Sequence, residues 1–227
     1  MKAVLKLGGF VFDEGLPPTK IDSYAKVIKA FSRKNQMIVV TGGGPIARRY
    51  IAAARALGAS ETFCDQIGIQ VSRLNAQLLA AALEGTVSLE IPESIEDMTK
   101  LARSGLVVVM GGLQPGQSTN AAAALAAEVM RADLLVNATS VSGVYSADPR
   151  KGPHAVKLAE VTPDELSGIL SGAGFRAGEY ELMDPVAIRI IKRSKIPVLV
   201  IDGQDASNID KALHGKHIGT RVVPTKG

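Results

Sequence analysis

The stretch Met37-Ile38-Val39-Val40-Thr41-Gly42-Gly43-Gly44-Pro45-Ile46-Ala47-Arg48 decides the fold class. Its first five residues carry no polar alternation, which is the pattern of a strand covered on both faces. Three glycines stop that strand, and Pro45 stands where a first helical residue belongs. The helix expected from there runs to Leu57, with Gly58 as its stop. The same habit recurs in both directions along the chain. Upstream, residues 4–7 read as a strand stopped by Gly8-Gly9, followed by a helix over 21–33. Downstream come a long helix over 62–83, a strand over 86–91, a helix over 93–103 and a buried strand over 106–110. The loop from Gly111 to Thr119 then opens an Ala-rich helix that ends at Met130.

The second half continues in kind. Residues 133–138 read as a strand, followed by a loop containing Gly143 and Tyr145. Thr162 and Glu165 form a capping box at a helix start. A helix over 185–193, a strand over 198–201 and a short strand over 220–223 complete the pattern. Continuous apolar strands separated by crossover helices predict an α/β protein with a mostly parallel sheet covered on both faces. At 227 residues, with 46% hydrophobic content, the chain can bury the core of one domain spanning 1–227. Any internal boundary falls near 131–133, dividing one continuous sheet into halves of about 1–131 and 132–227.

Composition excludes several classes. The net charge of +4 suits an anionic small substrate. Basic residues come singly or in pairs, such as Arg48-Arg49, and aromatics make up only 4%, so nucleic acid is not an expected partner. Cys64 is the sole cysteine, which rules out an internal disulfide. His154, His214 and His217 lie far from it, and no zinc-type spacing occurs. No apolar run approaches the length of a membrane span, and no leader-like segment precedes the first strand. No membrane partner is expected, and the cytoplasm is the expected compartment.

Three strands end in glycine clusters: Gly8-Gly9, Gly42 to Gly44, and Gly111-Gly112 with Gly116. In an open parallel sheet, ligands bind at the carboxyl ends of strands. Glycine allows close backbone approach to an anion, and a following helix aims free N–H groups at it. Two motifs nearly match. Gly42-x-Gly44-x-x-Ala47, with Asp65 about 20 residues on, resembles a dinucleotide fingerprint. That fingerprint requires its acid at the end of the next strand, whereas Asp65 opens a helical segment. Gly111-x-x-x-x-Gly116-Gln117-Ser118 has P-loop spacing, with Gln where that motif needs Lys. The missing cation must come from elsewhere, and Lys6 is the candidate because it interrupts an otherwise apolar strand.

Taken together, Lys6 to Phe10, Thr41 to Arg48, Asp65 with Ser72-Arg73-Leu74-Asn75, Gly111 to Thr119, Asp133 through Tyr145 to Asp148-Pro149, and Ala177 to Tyr180 with Asp184-Pro185 resemble the archaeal-type UMP kinases of the amino acid kinase superfamily. The resemblance implies a three-layer αβα sandwich with UMP over the N-terminal half and ATP over the C-terminal half. By matched position, Lys6, Leu7, Gly8, Gly9, Phe10, Gly44, Arg48, Thr139, Tyr145 and Asp148 would contact ATP. Gly43, Asp65, Leu113, Gln114, Pro115, Gly116, Gln117, Ser118 and Thr119 would contact UMP. It further implies Mg²⁺ arriving with ATP, no protein metal ligand, and a homohexamer. Two stretches depart from the family pattern. Ser140 and Ser142 replace an amide and a carboxylate in the nucleotide loop, and Asn120 stands where many relatives have Asp.

The expected chemistry suits these residues. A UMP phosphate oxygen is already anionic near neutral pH, so no general base is needed. Lys6, the glycine-loop amides and Mg²⁺ would stabilise the moving phosphoryl group, Arg48 would hold phosphate, and Asp65 would accept from the ribose hydroxyls. The competing readings are a kinase acting on a carboxylate, carbamate or isopentenyl phosphate, and a non-catalytic nucleotide- or oxyanion-binding protein on the same fold.

Overall fold

The computed structural model describes residues 1–147, 155–172 and 182–224. Asp148, Pro149 and the stretch from Ala177 to Tyr180 lie outside the described residues. Seven strands form one sheet in the order β3-β2-β1-β4-β6-β7-β5. They are β1 Lys2–Leu7, β2 Gln36–Thr41, β3 Val108–Met110, β4 Leu134–Thr139, β5 Glu160–Val161, β6 Val198–Asp202 and β7 Thr220–Val222. Every pairing is parallel except β6 with β7. The mostly parallel sheet predicted from the strand pattern is therefore present, with β4 at its centre and β1 beside it, between β2 and β4.

Helices cover both faces, making three layers: α1 Pro18–Ser32, α2 Gly44–Ala56, α3 Glu61–Ala82, α4 Ile95–Ala102, α5 Thr119–Met130, α6 Pro163–Gly172, α7 Pro185–Ser194 and α8 Ala206–Leu213. Because side chains alternate along a strand, each strand feeds two cores. Val4, Ile38, Val40, Leu135 and Val200 pack with α4, α5 and α7, while Leu5, Leu7, Val39, Val136 and Leu199 pack with α1, α3 and α8. The alanines of α5, with Ala121, Ala122, Ala123, Ala126 and Ala127 fully buried, let that helix lie directly on β1 and β2. Adding methylenes there would force the layers apart.

Local signals match the predicted boundaries closely. Pro45 lies in the first turn of α2, and Gly58 follows the helix with φ +85°. Thr162 and Glu165 bond each other's backbone N–H at 3.2 and 2.7 Å, completing the capping box. One expectation fails. Residues 86–91 do not form a strand; Val87 makes a single parallel bridge to Val107, and the chain then turns outward, leaving Leu89 exposed. An edge segment with no partner on its far side loses the ladder that would hold it extended. β5 and α8 were not anticipated.

Candidate active site

Parallel pairing of β1, β2, β3, β4 and β6 puts all their carboxyl ends on one edge of the sheet, so the glycine loops assemble there. Backbone bonds knit these ends together. The Gly8 N–H donates to Ala138 O at 3.0 Å, that of Gly42 to Leu7 O at 3.0 Å, and that of Gly203 to Thr139 O at 2.8 Å. Gly9 and Gly44 cross without side chains between them. A Cβ on Gly9 would lie 2.2 Å from Gly44 Cα, and Gly44 itself has φ +67°. The loops after β1 and β2 thus form one surface from which Arg48 rises, exposed, on α2.

Lys6 is half-buried on β1, beside Val40 on one side and Asn137 on the other. By strand alternation it faces the α5 layer, the side on which the loop from Gly111 to Ser118 enters its helix. Leu7 is different. Its side chain is fully buried in the opposite core, so only its backbone faces the loops. Phe10 meets Tyr24 edge-on, with ring centroids 6.4 Å apart, and abuts Gly8 and Gly203. Lys20 secures this turn, its Nζ donating to Phe10 O at 2.7 Å and to Asp13 at 3.1 Å.

Across the sheet edge, Asp65 is exposed in the second turn of α3, and its Oδ2 accepts from the Gly116 N–H at 2.9 Å. An acid in a helix, bonded to a loop after a different strand, does not fit the dinucleotide fingerprint. It does join Asp65 to the stretch Leu113, Gln114, Pro115, Gly116, Gln117, Ser118 and Thr119. Ser118 caps α5 by accepting from the N–H groups of Asn120 and Ala121 at 3.0 and 3.1 Å, and donates its proton to Asp184. Asn120 is 8% exposed, and its Oδ1 has no partner among the described residues; the same holds for Gln117 Oε1 and for Oδ1 of Asn137. Unpartnered carbonyl oxygens are costly in a folded chain and mark where a ligand's donors or a cation would be welcome.

Around β4 and β6, Thr139 ends its strand half-buried, and the Ser142 and Tyr145 hydroxyls bond each other at 2.7 Å. Ser142, the departure from a carboxylate, thus pairs with the tyrosine that was expected to face adenosine. Gln204 Nε2 donates to Ser140 O at 3.2 Å, tying the loop after β6 to the same place. Tyr24 donates to both Gly203 O and Gln204 O, at 2.7 and 2.8 Å. Burial, aided by the negative charges of Asp205 and Asp202, pushes its phenol up to about 12.

The sequence reading gave no role to the polar residues on the buried face of α3, which hold the glycine loops. Asn75 Nδ2 donates to Gly42 O at 2.8 Å and to Gly43 O at 3.3 Å. Ser72 Oγ accepts from the Gly112 N–H at 2.8 Å, and Thr41 Oγ1 donates to Ser72 O at 2.8 Å. Arg73, paired with Glu93 at 2.6 Å, donates to the carbonyls of Gly112 and Leu113, each at 3.3 Å. The signal was available: Ser72 and Asn75 fall on the apolar stripe of α3 with Ile69, Ala76 and Leu79, and a buried polar group on such a stripe demands a partner.

Glycine loops converging at the carboxyl ends of a mostly parallel sheet, with a lysine on the interior strand β1, define a phosphate-handling α/β protein. Residues 1–202 match the amino acid kinase family, and the chain belongs to that family. Relatives in that family include uridylate kinases. The chain is 46% identical over 222 residues to the uridylate kinase of Methanothrix thermoacetophila, covering 98% of this chain and 99% of that one. The crystal structure of uridylate kinase from Archaeoglobus fulgidus superposes with a TM-score of 0.89 at 45% identity, covering 98% of this chain and all of its own. A UMP kinase from Bacillus anthracis, at 19% identity and a TM-score of 0.82, shares the fold.

Proposed function

We propose that this chain is a UMP kinase that transfers the γ-phosphoryl group of ATP to UMP, giving UDP and ADP. The observation that carries the reading is Asp65 bonded to the Gly116 N–H, which joins a carboxylate suited to ribose hydroxyls with a glycine loop suited to phosphate. Near-full-length similarity to uridylate kinases favours UMP over a carboxylate, carbamate or isopentenyl phosphate acceptor.

In this reading a UMP phosphate oxygen attacks the γ-phosphorus, and the bond from that phosphorus to the bridging oxygen breaks, releasing ADP. Lys6 offsets charge on the transferred group, and Arg48 holds phosphate at the start of α2. Gly43 and the stretch from Leu113 to Thr119 seat the acceptor. The donor lies along Gly8, Gly9, Phe10 and Gly44, with Thr139 and Tyr145 toward adenosine; Asp148, outside the described residues, is assigned to the same nucleotide by family resemblance alone. A Mg²⁺ ion bound with ATP would neutralise charge on the phosphate oxygens. Magnesium takes oxygen donors and keeps phosphates and water in its shell, so the Oδ1 atoms of Asn120 and Asn137 fit it as neutral neighbours. The half 1–131 then seats the acceptor and lends its glycine loops to the donor phosphates, while 132–227 takes the adenosine side.

We place the protein in the cytoplasm as a homo-oligomer, a hexamer by family resemblance. No helix among the described residues is long and apolar enough to cross a membrane. A groove of about 810 Å³ beside α2 and α3 is lined by Tyr50, Phe63, Leu74, Leu78, Leu113 and Pro115. Tyr50 is 61% and Leu74 60% exposed, an apolar face suited to a second copy. Steady-state turnover with UMP, CMP, dUMP, acetylglutamate and isopentenyl phosphate tests the acceptor. UMP should win, and a better carboxylate substrate would refute the assignment.

A further inference from the structure

Asp184 precedes α7 and belongs to none of the glycine loops, yet it is bonded to the acceptor loop. Its two oxygens have different partners. Oδ1 accepts from the N–H groups of Val186 and Ala187 at 2.9 and 3.1 Å, capping α7. Oδ2 accepts the proton of Ser118. A hydroxyl offers one proton and two lone pairs. Both acceptor sites of Ser118 already face Asn120 and Ala121, so its proton is directed outward to Asp184. One carboxylate therefore fixes the starts of two helices at once, α5 in the acceptor half and α7 in the donor half.

The stretch carrying Asp184 is held from a second direction. Asn137 Nδ2 donates to Leu182 O at 2.9 Å, and Asn137 is the lateral neighbour of Lys6 across the β1–β4 pair. Leu182 and Met183 are buried, at 2% and 6% exposure, which anchors the stretch in the α5–α7 core. The acceptor loop and the strand row containing Lys6 are thus pinned to the same three residues.

We infer that Asp184 is a positioning residue for phosphoryl transfer: through Ser118 it sets the acceptor loop against the Lys6 row, and so controls how tightly UMP is held. The inference rests on the UMP kinase reading. An ordinary helix cap would carry no such effect, and Asp184→Asn separates the two. Asn caps helices as well as Asp does. Retaining both α7 N–H bonds keeps the amide oxygen toward Val186 and Ala187, which turns the amide NH₂ toward Ser118. That hydroxyl has no lone pair left to receive it, and its own proton loses its acceptor.

The test measures KM for UMP, kcat, ATP affinity by calorimetry and thermal melting for the parent, Asp184→Asn, Ser118→Ala and the double variant. The expected result for Asp184→Asn is a rise of about tenfold or more in KM for UMP, with a smaller change in kcat. ATP affinity should stay within about twofold and the melting temperature within a few degrees of the parent. In the Ser118→Ala background, Asp184→Asn should add little, because the link is already cut. An unchanged KM for UMP, additive effects in the double variant, or an equal loss of both nucleotides together with a large drop in melting would each overturn the inference. A parent that binds no UMP would instead overturn the kinase reading, and this inference with it.

Discussion

Replacing Gly9 by Ala should damage turnover through loop separation alone. Gly9 does not occupy the left-handed region, so alanine meets no backbone penalty there. The obstacle is steric: its Cβ would lie 2.2 Å from both Cα and N of Gly44. Non-bonded carbon atoms settle at about 3.5–4.0 Å, so the two loops must part by roughly 1.3 Å or more. Backbone cannot rotate out of the way as a side chain would. Misplacing reacting groups by about 1 Å can cost roughly 10²-fold in rate. We therefore expect kcat/KM to fall about a hundredfold in a coupled ADP-release assay. Gly15→Ala is the control, since its Cβ meets nothing closer than 3.9 Å and should leave the rate unchanged. Near-parental kcat/KM for Gly9→Ala, with melting intact, would show that the contact between these loops does not set the distance between donor and acceptor.

Three further outcomes are expected. Lys6→Ala should lower kcat by roughly 10²-fold or more while KM for UMP changes little, since a lost electrostatic stabiliser acts on the transition state; a near-normal kcat would remove Lys6 from the chemistry. Asn75→Ala strips the donor from the buried Gly42 carbonyl and should cost about 1–3 kcal/mol in urea unfolding, together with a higher KM for UMP; an unchanged unfolding midpoint would contradict the clamp. Tyr24 holds its proton more tightly when folded, so its contribution is complete below pH 10 and is lost as pH rises from 10 toward 12. The stability difference between the parent and Tyr24→Phe should shrink by roughly 2–3 kcal/mol over that window, and a constant difference would refute the shift.

The fold was legible where each layer repeats one local rule. Residues 37–40 and 198–201 are apolar without alternation, as strands covered on both faces must be, and Pro45, Gly58 and the Thr162–Glu165 box mark helix ends by their own backbone chemistry. Residues 86–91 misled because their apolar side chains satisfy the pattern while the sheet ends beside them. The two-residue β5 is too short to show a period, whereas α8 did carry a signal that went unread: Asp205 caps it, and Ile209, Ala212 and Leu213 share one buried face. At the candidate site, the glycine clusters and Lys6 were visible because each breaks its surroundings. The clamp from Ser72 and Asn75 was not, because its partners lie on strand ends 31 to 40 residues away in the chain. The bond from Ser118 to Asp184 spans 66 residues and depends on α5 and α7 packing side by side.

The central claim is that UMP accepts the terminal phosphoryl group of ATP. Incubating the purified chain with ATP labelled at the γ-phosphorus, Mg²⁺ and UMP, then separating the products, tests it directly. The account predicts label in the β-phosphate of UDP, formed one for one with ADP and stopped by chelating the metal. Label released only as inorganic phosphate, or ATP left intact beside UMP, would contradict it.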